Sequence, residues 1–180
     1  MEYCPEGTLE DKCKENIEMP CVRRYTYFLL KAVEYIHERM ILHRDIKPAN
    51  IFMGRNHVLK LGDFGSSVHL RGGSTAFGEI VQLAGTPAYM APEVQTLGGK
   101  VDVNGKEEIY GYGRAADIWS LGCVVLEMCT GKVALISEYP IALILGVSFV
   151  VGKILPKLNR VYFLFIFSSN ISINFGKQTG

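Results

Sequence analysis

The stretch that most limits how this chain can fold is HRDIKPAN, residues 43 to 50. It puts a histidine, an arginine, an aspartate, a lysine and an asparagine into one short segment. Alone, a polar run containing Pro48 reads as a solvated turn. Its neighbours argue for more. Upstream, Val22, Tyr25, Leu29, Ala32, Val33 and Ile36 recur at helical spacing, which predicts an amphipathic helix over residues 20 to 39. Pro20 suits its first turn, where no N–H partner is needed. Downstream, NIFM and VLKL are short apolar runs separated by Gly54, Arg55, Asn56 and His57, which predicts a tight hairpin. A second acidic-glycine turn, GDFG at 62 to 65, follows. A polar loop held at both ends by packed elements is well placed for chemistry.

HRDIKPAN, DFG at 63 to 65 and APE at 91 to 93 resemble, in order and separation, the signature set of the protein kinases. DIWSLGCVVLEMCTGK, residues 117 to 132, is similar to the buried helix that follows in that family, and is apolar almost all round. Lys47 followed by Pro48, with GTPAYMAPE, resembles the serine/threonine type. MEYCPEGTLED, GDFGSSV and GRAADIWSLGCVVLEMCTGK resemble the MAP kinase kinase kinase (MEKK) group, and its type 4 branch most. The fold this implies is α+β and protein-kinase-like.

The resemblance implies roles for single residues. Phosphoryl transfer rests on positioning and charge neutralisation. Asp45 would accept the proton of the substrate hydroxyl, and Lys47 would neutralise the transferring phosphate. Asn50 and Asp63 would hold Mg²⁺, a cation that takes oxygen ligands. Spacing agrees, because the hairpin returns the chain so that Asp63 can face Asn50. ATP is the implied cofactor beside Mg²⁺, with Met1, Glu2, Cys4 and Phe52 around its adenine. His43 and Phe64 would stack, with Gly65 completing the turn. Arg44 would pair with a phosphate on the activation loop, residues 66 to 90, which offers Ser66, Ser67, Ser74, Thr75 and Thr86. Thr86 would instead contact Asp45 and Lys47. Asp117 would hold the catalytic loop from below, or act as a helix N-cap. Glu93 would pair with an arginine beyond residue 132.

Both ends of the sequence raise expectations. MEYC resembles the hinge between two kinase lobes, which predicts a chain that is mainly the helical C-lobe with the N-lobe absent. No G-x-G-x-x-G run occurs in the 180 residues. Two missing phosphate clamps would slow transfer by at least ~10⁴, so this chain alone is expected to have little activity. The expected division is a kinase segment over 1–132 and a divergent hydrophobic tail over 133–180, with the C-terminal part of the lobe missing or replaced. Tyr139 to Gly152 is an apolar run too short for the ~18 to 20 residues of a membrane span. Translated non-coding sequence is the favoured reading of the tail, and its β-propensity makes it an aggregation hazard.

The formal net charge of +1 argues against nucleic-acid partners. Five cysteines without a CxxC pair fit reduced thiols in the cytoplasm. LGGKVDVNGKEEIYGYG, residues 97 to 113, is Gly-rich and polar, and is expected to be a surface loop. Two functions follow. One is a serine/threonine kinase acting on a MAP kinase kinase, under upstream activators of the MAPK cascade. The other is a non-catalytic binding module or decoy of kinase-lobe type. Neither is expected to involve nucleic acid or a membrane, although a membrane-associated tail is the second reading of residues 133–180.

Overall fold

Helix α2 (Met19–Glu38) organises the chain, within one residue of its expected span at either end. Pro20 lies in its first turn and no side chain caps it. Its stability comes from one buried face, formed by Val22, Tyr25, Leu29, Leu30, Val33 and Ile36. Each such side chain contributes about 1.5–3 kcal/mol by leaving water. Before it stands α1 (Leu9–Cys13), too short to persist alone. A reciprocal cap closes it: Asp11 N–H donates to Thr8 Oγ1 and Thr8 N–H donates to an Asp11 carboxylate oxygen.

The computed structural model describes residues 3–70, 80–95, 100–103, 106–109 and 111–133. The expectations for Met1, Glu2, Ser74, Thr75 and the tail from residue 134 onward therefore lie outside the described residues. Three antiparallel two-stranded sheets are present among those described. Strand β1 (Ile41–Leu42) pairs with β4 (Val68–His69). Strand β2 (Ile51–Gly54) pairs with β3 (Val58–Leu61), with Ile51 opposite Leu61 and Gly54 opposite Val58. The turn between them uses Asn56 at φ 60, a left-handed position that asparagine tolerates. Strands β5 (Lys100–Val103) and β6 (Lys106–Ile109) form the third pair. They lie in the stretch expected to be a polar loop. The alternation of Val101, Asp102 and Val103, followed by Asn104-Gly105, is a hairpin signal that glycine content masked.

After the short helix α3 (Pro92–Gln95), the chain reaches α4 (Ala115–Thr130). Eleven of its residues are buried, including Ile118, Leu121, Val124, Val125 and Met128. It packs against α2, and Trp119 touches both apolar clusters of the core. Gly131 ends it at φ 68, donating to Glu127 O at 2.8 Å. Arg114 occupies the N-cap, not Asp117. Ala115 and Ala116 are strong helix formers and extend the helix backwards, which puts Asp117 inside the first turn. The content is mixed helix and strand. Among the described residues no helix is long and apolar enough to cross a membrane. All five cysteines are free.

Candidate functional site

The loop at residues 43–50 leaves β1 and ends in a 3₁₀ turn, Pro48–Asn50, that runs into β2. It rests on Asp117, which is fully buried. One carboxylate oxygen of Asp117 accepts from His43 N–H at 2.9 Å, and the other from Arg44 N–H at 2.9 Å. His37 Nε2 lies 2.8 Å from the first of these oxygens. The loop needs such a floor. Arg44 has φ 71, and a left-handed non-glycine residue costs of order 1–3 kcal/mol.

Four of the expected residues converge above that floor. Thr86 Oγ1 donates to Asp45 Oδ1 at 2.7 Å and accepts from Lys47 Nζ at 2.8 Å. Lys47 Nζ also lies 3.0 Å from Asp45 Oδ2. Asn50 Nδ2 donates to Asp45 O at 2.9 Å and to Asp45 Oδ2 at 3.0 Å. Burial pushes the Asp45 carboxyl up, but Thr86, Lys47 and Asn50 together outweigh it, so the net shift is downward. The carboxylate is thus held ionised and oriented.

The hairpin brings in the second acid. Gly62 N–H donates to Asn50 O at 3.0 Å, which extends the β2–β3 ladder by one step. Asp63 is the next residue, so it emerges at the same end of the hairpin as Asn50. It is exposed, at φ 57, and its Oδ1 accepts from Gly65 N–H. His43 is fully buried and packs edge-on to Phe64, with ring centroids 4.8 Å apart. His43 Nδ1 accepts from Asp45 N–H, so Nε2 carries the hydrogen and donates to Gly62 O at 3.0 Å. This imidazole ties the loop to the turn before Asp63.

The segment carrying Thr86 lies directly over the loop at Gly85. There φ is +112, and a Cβ would stand 2.4 Å from Arg44 O. Only glycine fits. Gly85→Ala should cost at least about 2 kcal/mol in urea denaturation and increase proteolytic cutting near residues 80–86. A loss under about 0.5 kcal/mol would show that the contact is not needed.

The remaining expected residues are more dispersed. Arg44 Nε donates to Ser66 O, and its guanidinium stands beside the Tyr112 hydroxyl. Tyr112 in turn donates to Gln82 O at 2.6 Å. Phe52 sits on β2 with its ring over Gly62, where a Cβ would fall 2.7 Å from it. Cys4 is half-buried, just before a segment that bonds to Met53 of β2. Glu93 lies apart, on α3, where burial pushes its carboxyl up.

Two supports were not anticipated. His37 falls four residues after Val33 on the buried face of α2, and that period was the signal for it. Tyr89 Oη donates to Glu127 Oε2 at 2.7 Å, and burial pushes both groups up. Ser120 Oγ also donates to Tyr89 O at 2.7 Å. These bonds anchor the 3₁₀ turn Pro87–Tyr89, just after Thr86, to α4.

The donor set can be tested against a magnesium ion. Among the described residues no three His, Cys, Asp or Glu side chains converge as a metal cage. An exposed carboxylate at Asp63 and a buried amide at Asn50, its nitrogen committed to Asp45, offer hard oxygens at one edge of the hairpin. That suits Mg²⁺, which is held by one or two protein oxygens with water and phosphate completing the shell.

The family described as "Protein kinase domain" matches residues 1–141. Over 133 residues, 73% of the chain, it is 51% identical to mitogen-activated protein kinase kinase kinase 4 of Mus musculus. It is 42% identical over 134 residues to mitogen-activated protein kinase kinase kinase 3 of Mus musculus. It is 37% identical over 163 residues, 88% of the chain, to mitogen-activated protein kinase kinase kinase 20 of Arabidopsis thaliana. The matched stretches span 8%, 20% and 44% of those relatives.

Proposed function

Because the chain belongs to the protein kinase domain family, in which ATP and Mg²⁺ are the general cofactors, we propose that its 43–50 loop and DFG turn form the acceptor side of a serine/threonine phosphoryl-transfer site. The observation that carries this is the closed set of contacts among Asp45, Lys47, Asn50 and Thr86. Asp45 takes the proton of a serine or threonine hydroxyl and aims its oxygen. Lys47 stands beside it as the cation for the phosphoryl oxygens, and Thr86 fixes the spacing of the two. Asn50 and Asp63 would hold Mg²⁺, which would supply neutralisation of phosphate charge. Phe52, Cys4 and the preceding Met1 and Glu2 would receive the adenine. The described helices belong to the C-lobe of the kinase fold.

Arg44 is the receiver for a phosphate on the activation segment, exchanging its bond to Ser66 O for a stronger charged pair. On this reading it is a cytoplasmic kinase acting on a MAP kinase kinase under upstream activators, and its likeness to proteins named mitogen-activated protein kinase kinase kinases supports a place in such a cascade. Thermal denaturation of the purified chain, with and without Mg-ATP, tests the reading. A Mg-dependent rise in Tm that disappears in Asp63→Ala is the expected result. No rise, together with nucleotide-independent capture of a MAP kinase kinase, would replace it with the non-catalytic binding module.

A further inference from the structure

Tyr112 is buried, 2% exposed, in the apolar cluster formed with Leu42, Met90 and Ala116, and none of the roles assigned so far uses it. It stands just before α4, opposite Ile80 in an antiparallel bridge. Its N–H donates to Ile80 O at 2.9 Å, and Ile80 N–H donates to Tyr112 O at 3.4 Å. Its hydroxyl donates to Gln82 O at 2.6 Å. Backbone and side chain of one residue therefore grip two points of the segment that carries Gly85 and Thr86. Apolar packing does little there, because Val81 and Leu83, on either side of Gln82, are each 55% exposed. The phenol oxygen also faces the Arg44 guanidinium, whose Nε donates to Ser66 O at 2.5 Å. Arg44 and Tyr112 together thus join the residue after the DFG turn to the stretch just before Gly85.

We propose that Tyr112 is a positioning residue of the phosphoryl-transfer site: it pins residues 80–82 so that Thr86 stays in reach of Asp45 and Lys47. This rests on the reading of Asp45 and Lys47 as the acceptor side. The chain from Gln82 to Thr86 is too short to wander when its first residue is held, and Gly85 sits over Arg44 O near its far end. Thr86 then meets Asp45 Oδ1 at 2.7 Å and Lys47 Nζ at 2.8 Å. Release of Gln82 lets the segment drift, and a misplacement of about 1 Å costs up to about a hundredfold in rate. The phenol suits the task because one oxygen does two things: its hydrogen goes to a carbonyl and its lone pairs meet a cation. Phenylalanine keeps the ring in the core and loses both. Gln82 is exposed, so its freed carbonyl turns to water and little folding stability goes with it.

The test uses the full-length protein with a serine/threonine protein substrate. Tyr112→Phe should lower kcat about tenfold, with KM for Mg-ATP within about twofold and Tm within about 4 °C of the unsubstituted protein. Thr86→Val, which lacks the hydroxyl, separates positioning from support of the fold. In that background Tyr112→Phe should lower kcat by less than about twofold, because the contact it protects is already gone. In the 180-residue chain, where no activity is needed, amide hydrogen exchange over residues 80–86 should quicken about tenfold in Tyr112→Phe while α2 stays protected. A kcat within about twofold of the unsubstituted protein, a second tenfold loss on top of Thr86→Val, or unchanged exchange at 80–86 would each overturn the proposal. Asp45→Asn, assayed alongside, separates it from the reading beneath it. If that variant is inactive and Tyr112→Phe is unimpaired, only the role of Tyr112 fails. If Asp45→Asn keeps full activity, the acceptor-side reading fails and the role of Tyr112 goes with it.

Discussion

Asp117→Ala should destabilise the chain by about 3–5 kcal/mol, the largest loss expected from any single side chain. Three donors converge on this fully buried carboxylate: His43 N–H, Arg44 N–H and His37 Nε2. Alanine leaves all three in a space water does not reach, and each abandoned donor costs roughly 1–3 kcal/mol. Relaxation of the loop recovers part of that. The strain at Arg44 gives the loss a second route, because a left-handed arginine without its N–H partner tends to return to an ordinary conformation. Asp117→Asn should fall between, since it retains one acceptor oxygen but turns an amide N–H₂ toward another donor. Urea denaturation of the three proteins measures the order. A loss under about 1 kcal/mol for alanine would show that the loop is held by something other than Asp117.

Asp45→Asn should lower kcat by about 10²–10⁴, the range that a positioned acid–base group supplies. The side chain keeps its shape, and one of the two oxygens that accept from Thr86 and Asn50 remains. What disappears is the charge that draws the substrate proton and balances Lys47. The fall should therefore appear in kcat, with Mg-ATP affinity within about twofold, because Asn50 and Asp63 are untouched. The full-length protein with a serine/threonine protein substrate is the system in which to read it. A drop of less than tenfold would remove Asp45 from the chemistry. A matching loss of Mg-ATP affinity would instead assign it to nucleotide binding.

Much of the framework could be read from periodicity. The 3.6-residue spacing from Val22 to Ile36 marked α2, and two apolar runs around an Asn-containing turn marked β2 and β3. The run from Asp117 to Lys132 marked α4, though its first residues escaped because Ala115 and Ala116 carry no periodic signal. The hairpin of β5 and β6 was missed because four glycines around it drew attention from a short alternating stretch. At the site, residue types at fixed spacing named the participants, while partners such as Thr86 for Asp45 and Lys47 came only from the family resemblance. Nothing local to Thr86 shows that it reaches Asp45, since 41 residues separate them. The Tyr89–Glu127 bond spans 38 and is equally invisible locally. An acid within an otherwise apolar helix was the only hint of it.

The position of Asp117 also has a kinetic consequence. Its bonds to the loop at residues 43 and 44 close sequence separations of 74 and 73 residues. Closing a loop that long costs chain entropy that nearby contacts do not repay at once. The histidine-to-asparagine loop should therefore gain its shape late, after α4 has docked against α2. Until residue 117 has been made and folded in, the entire HRDIKPAN motif is present as sequence but not as a site. During synthesis, or in any natural or engineered truncation, competence of this segment should switch on over the few residues that complete α4 rather than grow with length.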